Sequence, residues 1–318
     1  MPTTRVSIAL CTLNGERYLP EQLDSYEKQT HLPDELIICD DGSNDRTRDI
    51  IASFASRAPF EVRCAANERS LGVVANFEHA ISSCTGDLIF LSDQDDFWLP
   101  DKIARMLEAF ENRPSIGLVV ADATVADASL NPLGYTHWEG MRFNRRLQRQ
   151  TCADPLGAMM KMCIFSGATM AFRAKLRPML LPFPTGWLHD RWIATAIASV
   201  AGIELIQTPL TLYRQHATNA IGGGRFSNVD FALKHRDLPE SVFDREANMY
   251  AAIIERIGES SDAKTRRRLA EKVAFLRRRG QMRNRTWTRL PMILRELLTG
   301  RYHRLGRGWL TMARDLIG

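Results

Sequence analysis

The sequence lacks several patterns that would assign a protein to a class at once. None of its six cysteines forms a CxxC pair, and most lie in apolar runs, so they are interpreted as buried thiols rather than as a zinc site or a disulfide framework. No segment approaches the roughly 20 consecutive apolar residues that a membrane-spanning helix needs. The first residues carry too short an apolar stretch for a secretory signal. These absences predict a cytoplasmic protein.

Two common nucleotide-binding signatures are absent as well. Neither GxGxxG nor GxxxxGK(S/T) occurs, which argues against a dinucleotide-binding or P-loop protein. The composition is that of an ordinary globular protein, because 45% of the 318 residues are apolar and 25% are charged. A chain of this length can bury one large core and carry an appendage.

Acidic residues are scarce in the last part of the chain. Residues 225–318 contain 21 Lys and Arg against 11 Asp and Glu, whereas residues 1–224 contain 21 against 26. Such a split predicts a catalytic body followed by a region that meets something anionic. We therefore expect a catalytic domain at 1–224 and a basic, amphipathic, helical region at 225–318.

Short β-branched runs alternate with helical patterns over the first part of the chain. Five strands are predicted there, at Val6–Cys11, Glu35–Asp40, 61–66, Asp87–Ser92 and Ile116–Ala121. This alternation predicts an α/β protein with a mostly parallel, Rossmann-like sheet sandwiched by helices. Further on, "HDRWIATAIASVAG" predicts a helix, and "IELI" and "LTLYR" predict two more short strands.

Polar side chains follow three of the predicted strands, in the segments Thr12–Asn14, Asp40–Ser43 and Asp93–Asp96. The carboxyl ends of parallel strands meet at one edge of a sheet, where ligands bind. Asp93 and Asp95 lie two residues apart in an extended segment, so they should face the same way. Two adjacent carboxylates need a cation to stay ionised. Their oxygens favour Mg²⁺ or Mn²⁺, which commonly also bind a substrate diphosphate.

A plainer interpretation competes with this one. Acidic residues are good helix caps, so Asp93–Asp96 could be loop residues before the helix that starts near Pro100, and "DDGSND" could be a turn and a cap. Asp101 already occupies the capping position of that helix, however, and Asp93 lies too far upstream to help. Three polar strand ends together favour a functional site.

The segments "VSIALCTLNGERYL", "LIICDDGSNDRT", "NERSLGVVANFEHAI", "GDLIFLSDQDDFW" and "PDKI" together resemble the family 2 glycosyltransferases of the GT-A fold. The similarity extends from Val6 to Ala121 in unbroken order. It implies a nucleotide-binding half at 1–121, an acceptor half at 122–224, and a nucleotide-diphosphate sugar as donor. The segments "FSGATMAF", "HDRWIATAIA" and "PLTLYRQHATNAIGG" are similar to the bacterial rhamnosyltransferase branch that acts in surface polysaccharide synthesis.

The resemblance implies a role for each residue that matches a family motif. The donor would be contacted by Thr12, Asn14, Glu16, Asp40, Asp41, Asn67, Arg69, Asn76 and Asp93. Asp93 and Asp95 match the DxD motif, with Asp93 toward the ribose and the metal and Asp95 as the direct metal ligand. Asp190 would be the catalytic base, and His216 would be a ligand of the metal or the diphosphate.

This sequence departs from the family pattern at two positions. Leu13 stands where the family usually has an aromatic residue that stacks on the base, and His189 replaces the first acid of the usual acidic pair. Two assignments also have plain alternatives. On the residues alone, Asp190 could be an ordinary acid at a helix N-terminus, and His216 could be a structural histidine.

The expected activity is an inverting, metal-dependent sugar transfer to a hydroxyl of a surface-polysaccharide or lipid-linked glycan acceptor. Rhamnose from dTDP-rhamnose is one expected donor. The alternatives are a nucleotide-binding α/β protein of another kind and a catalytically degenerate nucleotide-sugar-binding scaffold at the membrane.

Residues 264–314 carry 16 Lys and Arg against two acids, with Trp and Leu at near-helical spacing. Basic helices with apolar faces fit a membrane interface, which makes an anionic membrane surface a possible partner and a peripheral place on the inner face of the plasma membrane a possible location. These helices could equally pack on the catalytic domain with a solvated basic face. Nucleic acid is not expected, because the upstream crevice is acidic.

Overall fold

A computed structural model describes residues 4–216, 240–258, 261–283 and 289–317. The strands in these ranges are β1 (Val6–Thr12), β2 (Glu35–Asp40), β3 (Glu61–Ala66), β4 (Leu88–Ser92), β5 (Phe97–Trp98), β6 (Ile116–Ala126), β7 (Pro132–Thr136), β8 (Met170–Arg173) and β9 (Gly202–Arg214). They form one sheet in the order β3-β2-β1-β4-β8-β6-β9-β5, and β7 pairs with β6.

Helices cover the sheet and form the last part of the chain. They are α1 (Leu19–Glu27), α2 (Thr47–Ala55), α3 (Val73–Ser83), α4 (Lys102–Asn112), α5 (His137–Gly140), α6 (Arg145–Ala153), α7 (Pro155–Lys161), α8 (Arg177–Leu180), α9 (His189–Ala198), α10 (Glu240–Ile257), α11 (Ala263–Arg283), α12 (Arg289–Leu298), α13 (Arg301–Leu305) and α14 (Trp309–Ile317). Among the described residues, no helix is both long enough and apolar enough to cross a bilayer.

The first four strands of the sheet confirm the α/β prediction. β3, β2, β1 and β4 are parallel neighbours. Successive side chains of a strand point to opposite faces, so the apolar runs divide between two cores. Ala9, Ile37 and Ile89 enter one core, while Ile8 and Ile38 enter the other. Burial on both faces explains why β1, β2 and β4 are almost continuously apolar, whereas the edge strand β3 is largely exposed.

Beyond β4 the sheet is mixed rather than parallel. β8 lies between β4 and β6 and runs antiparallel to both, and β9 is parallel to β6. The two short strands expected at "IELI" and "LTLYR" are one long strand, β9. Its register against β6 shifts between Ile206 and Pro209. Proline cannot donate to the ladder, so this irregularity breaks the apolar alternation without ending the strand.

The C-terminal helices pack on the catalytic part. Tyr250 of α10 and Leu269, Phe275 and Leu276 of α11 are buried in the same core as Ala9 of β1. Lys272 donates hydrogen bonds to the backbone carbonyls of Met160 (2.7 Å) and Leu305 (2.9 Å). The packing alternative therefore describes α11. The expected domain boundary between residues 224 and 225 lies outside the described residues and stays a prediction.

Candidate active site

The strand register brings the predicted polar segments to one edge of the sheet. Thr12 at the end of β1 pairs with Asp40 at the end of β2, and β4 ends beside β1 at Ser92. The acidic turn after β4 leads into β5, which pairs antiparallel with the end of β9. This pairing explains why His216, just after β9, lies next to the acidic turn.

Asp40 holds the loop after β2 rather than facing an open surface. Its carboxylate is fully buried and accepts hydrogen bonds from Thr12 Oγ1, Arg48 Nε, and the amide and hydroxyl of Ser43. Burial would raise the pKa of Asp40, but the hydrogen bonds from Ser43 and Arg48 outweigh it and keep the pKa below its ordinary value. Because its oxygens accept hydrogen bonds from protein groups, Asp40 supports the loop after β2, and its contact with the nucleotide-sugar donor stays a prediction.

Asp41 organises the next loop in the same way. Its carboxylate accepts hydrogen bonds from Asn67 Nδ2 (2.9 Å), Ser70 Oγ (2.7 Å), Leu71 N (2.7 Å) and Gly72 N (3.0 Å). Asn67 also donates to Asn76, whose own amide donates to the carbonyl of Cys39. This buried network fixes the segment that carries the exposed Arg69. Contact of these residues with the nucleotide-sugar donor stays a prediction.

Asn14 and Glu16, which are predicted to contact the nucleotide-sugar donor, join the β1–α1 loop to the β2–α2 loop. Asn14 adopts a positive φ of 49°, and its side-chain oxygen accepts a hydrogen bond from Asn44 N (2.9 Å). Glu16 accepts one from Arg46 N (3.0 Å). Both side chains are exposed enough to reach a ligand, but what they do in the described structure is to join loops.

Gln94, the middle residue of the DxD motif, clamps the loop after β1. It accepts a hydrogen bond from Leu13 N (2.8 Å) and donates one to Leu13 O (3.0 Å). A Cβ added at Gly15 would lie 2.4 Å from the Gln94 Oε1 atom, so only glycine allows the approach. The clamp leaves the Leu13 side chain 44% exposed, at the position where the family usually has an aromatic residue.

Carboxylates from two distant segments share the site. Asp93 keeps a small exposed surface, but burial, followed by the negative charges of Asp95 and Asp190, raises its pKa to about 7. Asp95 Oδ2 lies 2.8 Å from His216 Nε2, and the His216 ring packs against Tyr18 with the ring centroids 4.6 Å apart. The structure therefore brings all four predicted catalytic and metal-binding residues into one region.

Arg214 braces this region from inside. Its buried guanidinium donates to the backbone carbonyls of Asp95 (2.6 Å) and Ala128 (2.6 Å), pairs with Glu21, and lies 4.5 Å from the Tyr18 ring centroid. These contacts join the acidic turn to β9 and α1. Because the Arg214 side chain is buried and held by protein groups, it supports the shape of the site.

Two buried ionisable side chains, Asp96 and Lys102, lie close to the acidic turn. Asp96 accepts a hydrogen bond from Arg214 N (3.1 Å), and burial raises its pKa well above the ordinary value. The Nζ atom of Lys102 lies 3.8 Å from the Trp98 ring centroid, and burial lowers the pKa of Lys102 to about 7. Lys102 also donates to Thr211 Oγ1 (3.0 Å) of β9. No sequence pattern singles out Lys102, which resembles any other residue in a first helical turn.

Asp190 lies in the first turn of α9, where Oδ1 accepts a hydrogen bond from Arg191 N (2.5 Å). Burial raises the pKa of Asp190 to about 6. The adjacent His189 is directed elsewhere, because its ring stacks on Phe77 with centroids 3.9 Å apart. Burial lowers the pKa of His189 to about 3, so it is a neutral packing residue. Among the described residues, neither buried ring nitrogen of His189 has a hydrogen-bond partner, so His189 does not orient Asp190 through a hydrogen bond.

The side chains of this site supply only part of the ligand shell that a hard divalent ion needs. Among the described residues, no three His, Cys, Asp or Glu side chains are grouped as a complete metal site. Asp95 and His216 supply two adjacent ligand atoms, and the raised pKa of Asp93 indicates a place short of positive charge. Carboxylate oxygens suit Mg²⁺ and Mn²⁺, and both ions commonly take remaining ligands from phosphate and water.

Comparisons with known proteins show which family the chain matches. Residues 7–169, about half of the chain, match the family described as Glycosyl transferase family 2. An uncharacterised glycosyltransferase of Nostoc sp. is 26% identical over 220 residues, covering 68% of this chain and 66% of that protein. The dTDP-rhamnosyl transferase RfbG of Shigella flexneri is 26% identical over 239 residues, covering 72% of this chain and 78% of that protein.

The fold has solved counterparts. The mannosyltransferase PcManGT from Pyrobaculum calidifontis, in complex with GDP-Man and Mn²⁺, superposes with a TM-score of 0.53 at 18% identity, covering 99% of this chain and 85% of that one. The sheet is thus that of the GT-A glycosyltransferases. The match spans 59–66% of the length of four curated relatives, the Nostoc protein among them. The chain belongs to glycosyl transferase family 2.

Proposed function

We propose that this protein is a glycosyltransferase that moves a sugar from a nucleotide-diphosphate donor to an acceptor hydroxyl, with inversion at the anomeric carbon. The observation that carries the proposal is the contact of His216 Nε2 with Asp95 Oδ2 (2.8 Å) beside Asp93. Burial, followed by the negative charges of Asp95 and Asp190, raises the pKa of Asp93 to about 7. Carboxyl groups from the end of β4 and from α9 therefore act on one another at the edge of a GT-A sheet. Membership of family 2 supports the same class of reaction.

Asp190 is the proposed general base. The acceptor hydroxyl attacks the anomeric carbon, its proton passes to an Asp190 carboxylate oxygen, and the bond from that carbon to the diphosphate oxygen breaks. Burial raises the pKa of Asp190 to about 6. At neutral pH the group is therefore still ionised, yet it is a stronger base than an exposed aspartate. Its partly exposed position at the start of α9 leaves room for an acceptor.

Asp93, Asp95 and His216 are proposed to hold Mg²⁺ or Mn²⁺. A bound ion would supply Lewis-acid stabilisation to the departing diphosphate. The protein's own contribution is orientation, because the hydrogen bond to Asp95 and the packing against Tyr18 fix the His216 ring. Arg214 fixes the backbone of Asp95 in turn.

The proposed donor is a nucleotide-diphosphate sugar, with dTDP-rhamnose as the first to test. Similarity to the Shigella dTDP-rhamnosyl transferase over most of both chains supports this choice. The loops held by Asp40 and Asp41 would border the nucleotide, and the exposed Leu13 would offer an aliphatic contact to the base.

The proposed acceptor is a hydroxyl of a surface-polysaccharide or lipid-linked glycan. A cavity of about 410 Å³ lies beside the entry to α9 and is lined in part by Trp187, Asp244, Arg245 and Asn248. An aromatic ring beside amide and charged groups is a combination that suits a sugar ring and its hydroxyls. A lipid-linked acceptor would lie at a membrane surface, and an anionic membrane is the partner we propose for part of residues 264–314.

A thermal-shift screen of nucleotide sugars, each with Mn²⁺, with Mg²⁺ and with chelator, tests the proposal. We expect one donor to raise the unfolding midpoint in a metal-dependent way, and that donor to be consumed when an acceptor glycan is added. Stabilisation by a donor without any transfer or hydrolysis would favour the degenerate scaffold. No stabilisation by any donor, together with no consumption, would contradict the proposed function.

A further inference from the structure

The two helices α12 and α14 expose large apolar side chains. Leu290, Leu294 and Leu298 of α12 are 57%, 49% and 86% exposed, and Trp309 and Leu316 of α14 are 61% and 44% exposed. These five residues are here called the apolar face. Single exposed leucines are normal on soluble proteins, but several on two adjoining helices mark an interaction surface.

The exposed leucines of α12 form a continuous stripe. Leu290, Leu294 and Leu298 are spaced by four residues, so they lie along one side of the helix. Ile293 and Glu296 lie on the other side and are buried. The helix thus uses its inner side to dock on the protein and presents a second apolar side to the outside.

Helix α14 repeats the arrangement and packs against α12. Trp309 and Leu316 are seven residues apart and share one side of the helix. Thr311 and Asp315 lie on the other side and are buried. Trp309 also packs edge-on against His303, with ring centroids 5.2 Å apart, which orients the indole at the surface.

The charges around the apolar face have one sign. Between residues 289 and 316 the chain has six arginines and two acids. Both acids are buried inside the C-terminal helices: Glu296 pairs with Arg278 and Arg301, and Asp315 pairs with Arg279. The outer surface of this segment therefore combines exposed leucines and tryptophan with positive charge, as on the exposed Arg295.

Helix α11, the most arginine-rich part of the chain, does not present such a face. Its apolar residues Leu269, Phe275 and Leu276 are buried in the main core. Among the described residues of 264–314, the large apolar side chains that are exposed lie on α12 and α14, so the proposed membrane contact is assigned to these two helices.

We propose that the apolar face docks on a bilayer that contains anionic lipid. Leucine and tryptophan side chains would enter the interface, while the surrounding arginines would lie among the headgroups. The positive charge selects this occupant over a second copy of the chain, whose own face would carry the same charge. The docking does not depend on the transfer chemistry, since none of these residues belongs to the candidate active site.

Vesicle flotation of the full chain tests the proposal. We expect the protein to float with phosphatidylcholine–phosphatidylglycerol vesicles and to stay behind with phosphatidylcholine vesicles. The double variant Leu294→Glu, Leu298→Glu should lose at least about tenfold of the bound fraction, because it removes two insertions and adds two repelled charges. The matched control is Leu32→Glu, Leu133→Glu, which changes two exposed leucines outside the apolar face and should float like the wild type.

Separate readouts distinguish the outcomes. Donor binding and the unfolding midpoint should be unchanged in both double variants. If Leu294→Glu, Leu298→Glu does not fold, Leu298→Gln alone, at the most exposed position, should still lower the bound fraction. Absence of wild-type flotation, or flotation that survives the Leu298 and Leu294 substitutions, would overturn the proposal. A wild-type dimer that fails to float, and that the double variant converts to a monomer, would assign the face to a second copy instead.

Discussion

Asp190, the proposed general base, is the residue whose replacement tests the proposed chemistry most directly. Replacement by asparagine keeps the size and the hydrogen bond from Arg191 N but removes the proton acceptor. We expect Asp190→Asn to lower the rate of transfer by about 10²–10⁴-fold while donor affinity changes little. Turnover with purified protein and calorimetric donor binding check this. Asp49→Asn, an exposed acid of α2, is the control, and near-normal turnover of Asp190→Asn would remove it as the base.

The same residue sets the expected pH dependence. Burial raises the pKa of Asp190 to about 6, and only the ionised form can accept the proton. Transfer should therefore rise as the pH increases through about 6, level off above it, and fall about tenfold for each unit below it. A rate profile at saturating donor measures this. A profile that is flat from about pH 5 to 8 would contradict the role of Asp190.

Sequence patterns at the residue scale identified which side chains meet but not what each one does. Asp93, Asp95, Asp190 and His216 were found because their residue types and positions match a family motif. Asp40 and Asp41 were assigned to the donor for the same reason. In the described structure the Asp41 carboxylate also accepts hydrogen bonds from residues as distant in sequence as Leu71 and Gly72, and the Asp40 carboxylate accepts one from Arg48. Hydrogen bonds between separate loops have no local signature, so a motif alone cannot distinguish a ligand from its support.

At the scale of elements, Gln94 joins the turn after β4 to the loop after β1. Gln94→Ala would remove both hydrogen bonds to the Leu13 backbone. At about 1 kcal/mol for each bond, we expect the affinity for the sugar donor to fall by up to about 30-fold, because the loop that borders the nucleotide is released. Titration of the donor into the variant measures the loss. Gln94→Glu keeps the acceptor for Leu13 N but places a carboxylate oxygen against the Leu13 carbonyl, so it should bind the sugar donor no better than Gln94→Ala. Unchanged affinity of Gln94→Ala would show that the clamp is dispensable.

Lys272 joins α11 to α7 and α13. Lys272→Ala leaves the carbonyls of Met160 and Leu305 without this donor and removes a packed aliphatic stem. We expect the free energy of unfolding to fall by about 2–4 kcal/mol. Chemical denaturation measures it, with Lys264→Ala, an exposed position on the same helix, as a control that should change stability by less than about 0.5 kcal/mol. Equal stabilities of the two variants would refute a structural role for Lys272.

Element prediction succeeded where local pattern and tertiary structure agree. β1, β2 and β4 are apolar runs buried on both faces, and the helices between them have regular spacing. β9 was divided in two because its register shift near Pro209 interrupts the alternation. The antiparallel insertion of β8 between β4 and β6 could not be predicted, because strand partners so far apart in sequence are chosen by packing and not by any local signal.

For the molecule as a whole, the position of the C-terminal helices changes how function should be tested. The sequence predicts a catalytic domain at 1–224 followed by a basic region at 225–318. In the described structure, one core contains both Ala9 of β1 and Leu305 of α13. Variants of the apolar face therefore need to be point substitutions, since a deletion would also uncover the core.

This continuity leads to a prediction for a chain that ends at residue 258. Without α11, the side of α10 that packs on it and the carbonyl of Met160 lose their cover. The side chains lost include Leu269, Phe275 and Leu276, and the burial of each contributes about 1.5–3 kcal/mol to the free energy of unfolding. We expect the shortened chain to aggregate or to be cleaved rapidly in limited proteolysis, while the full chain resists under the same conditions. A soluble, protease-resistant shortened chain that still binds donor would instead establish the basic region as an independent appendage.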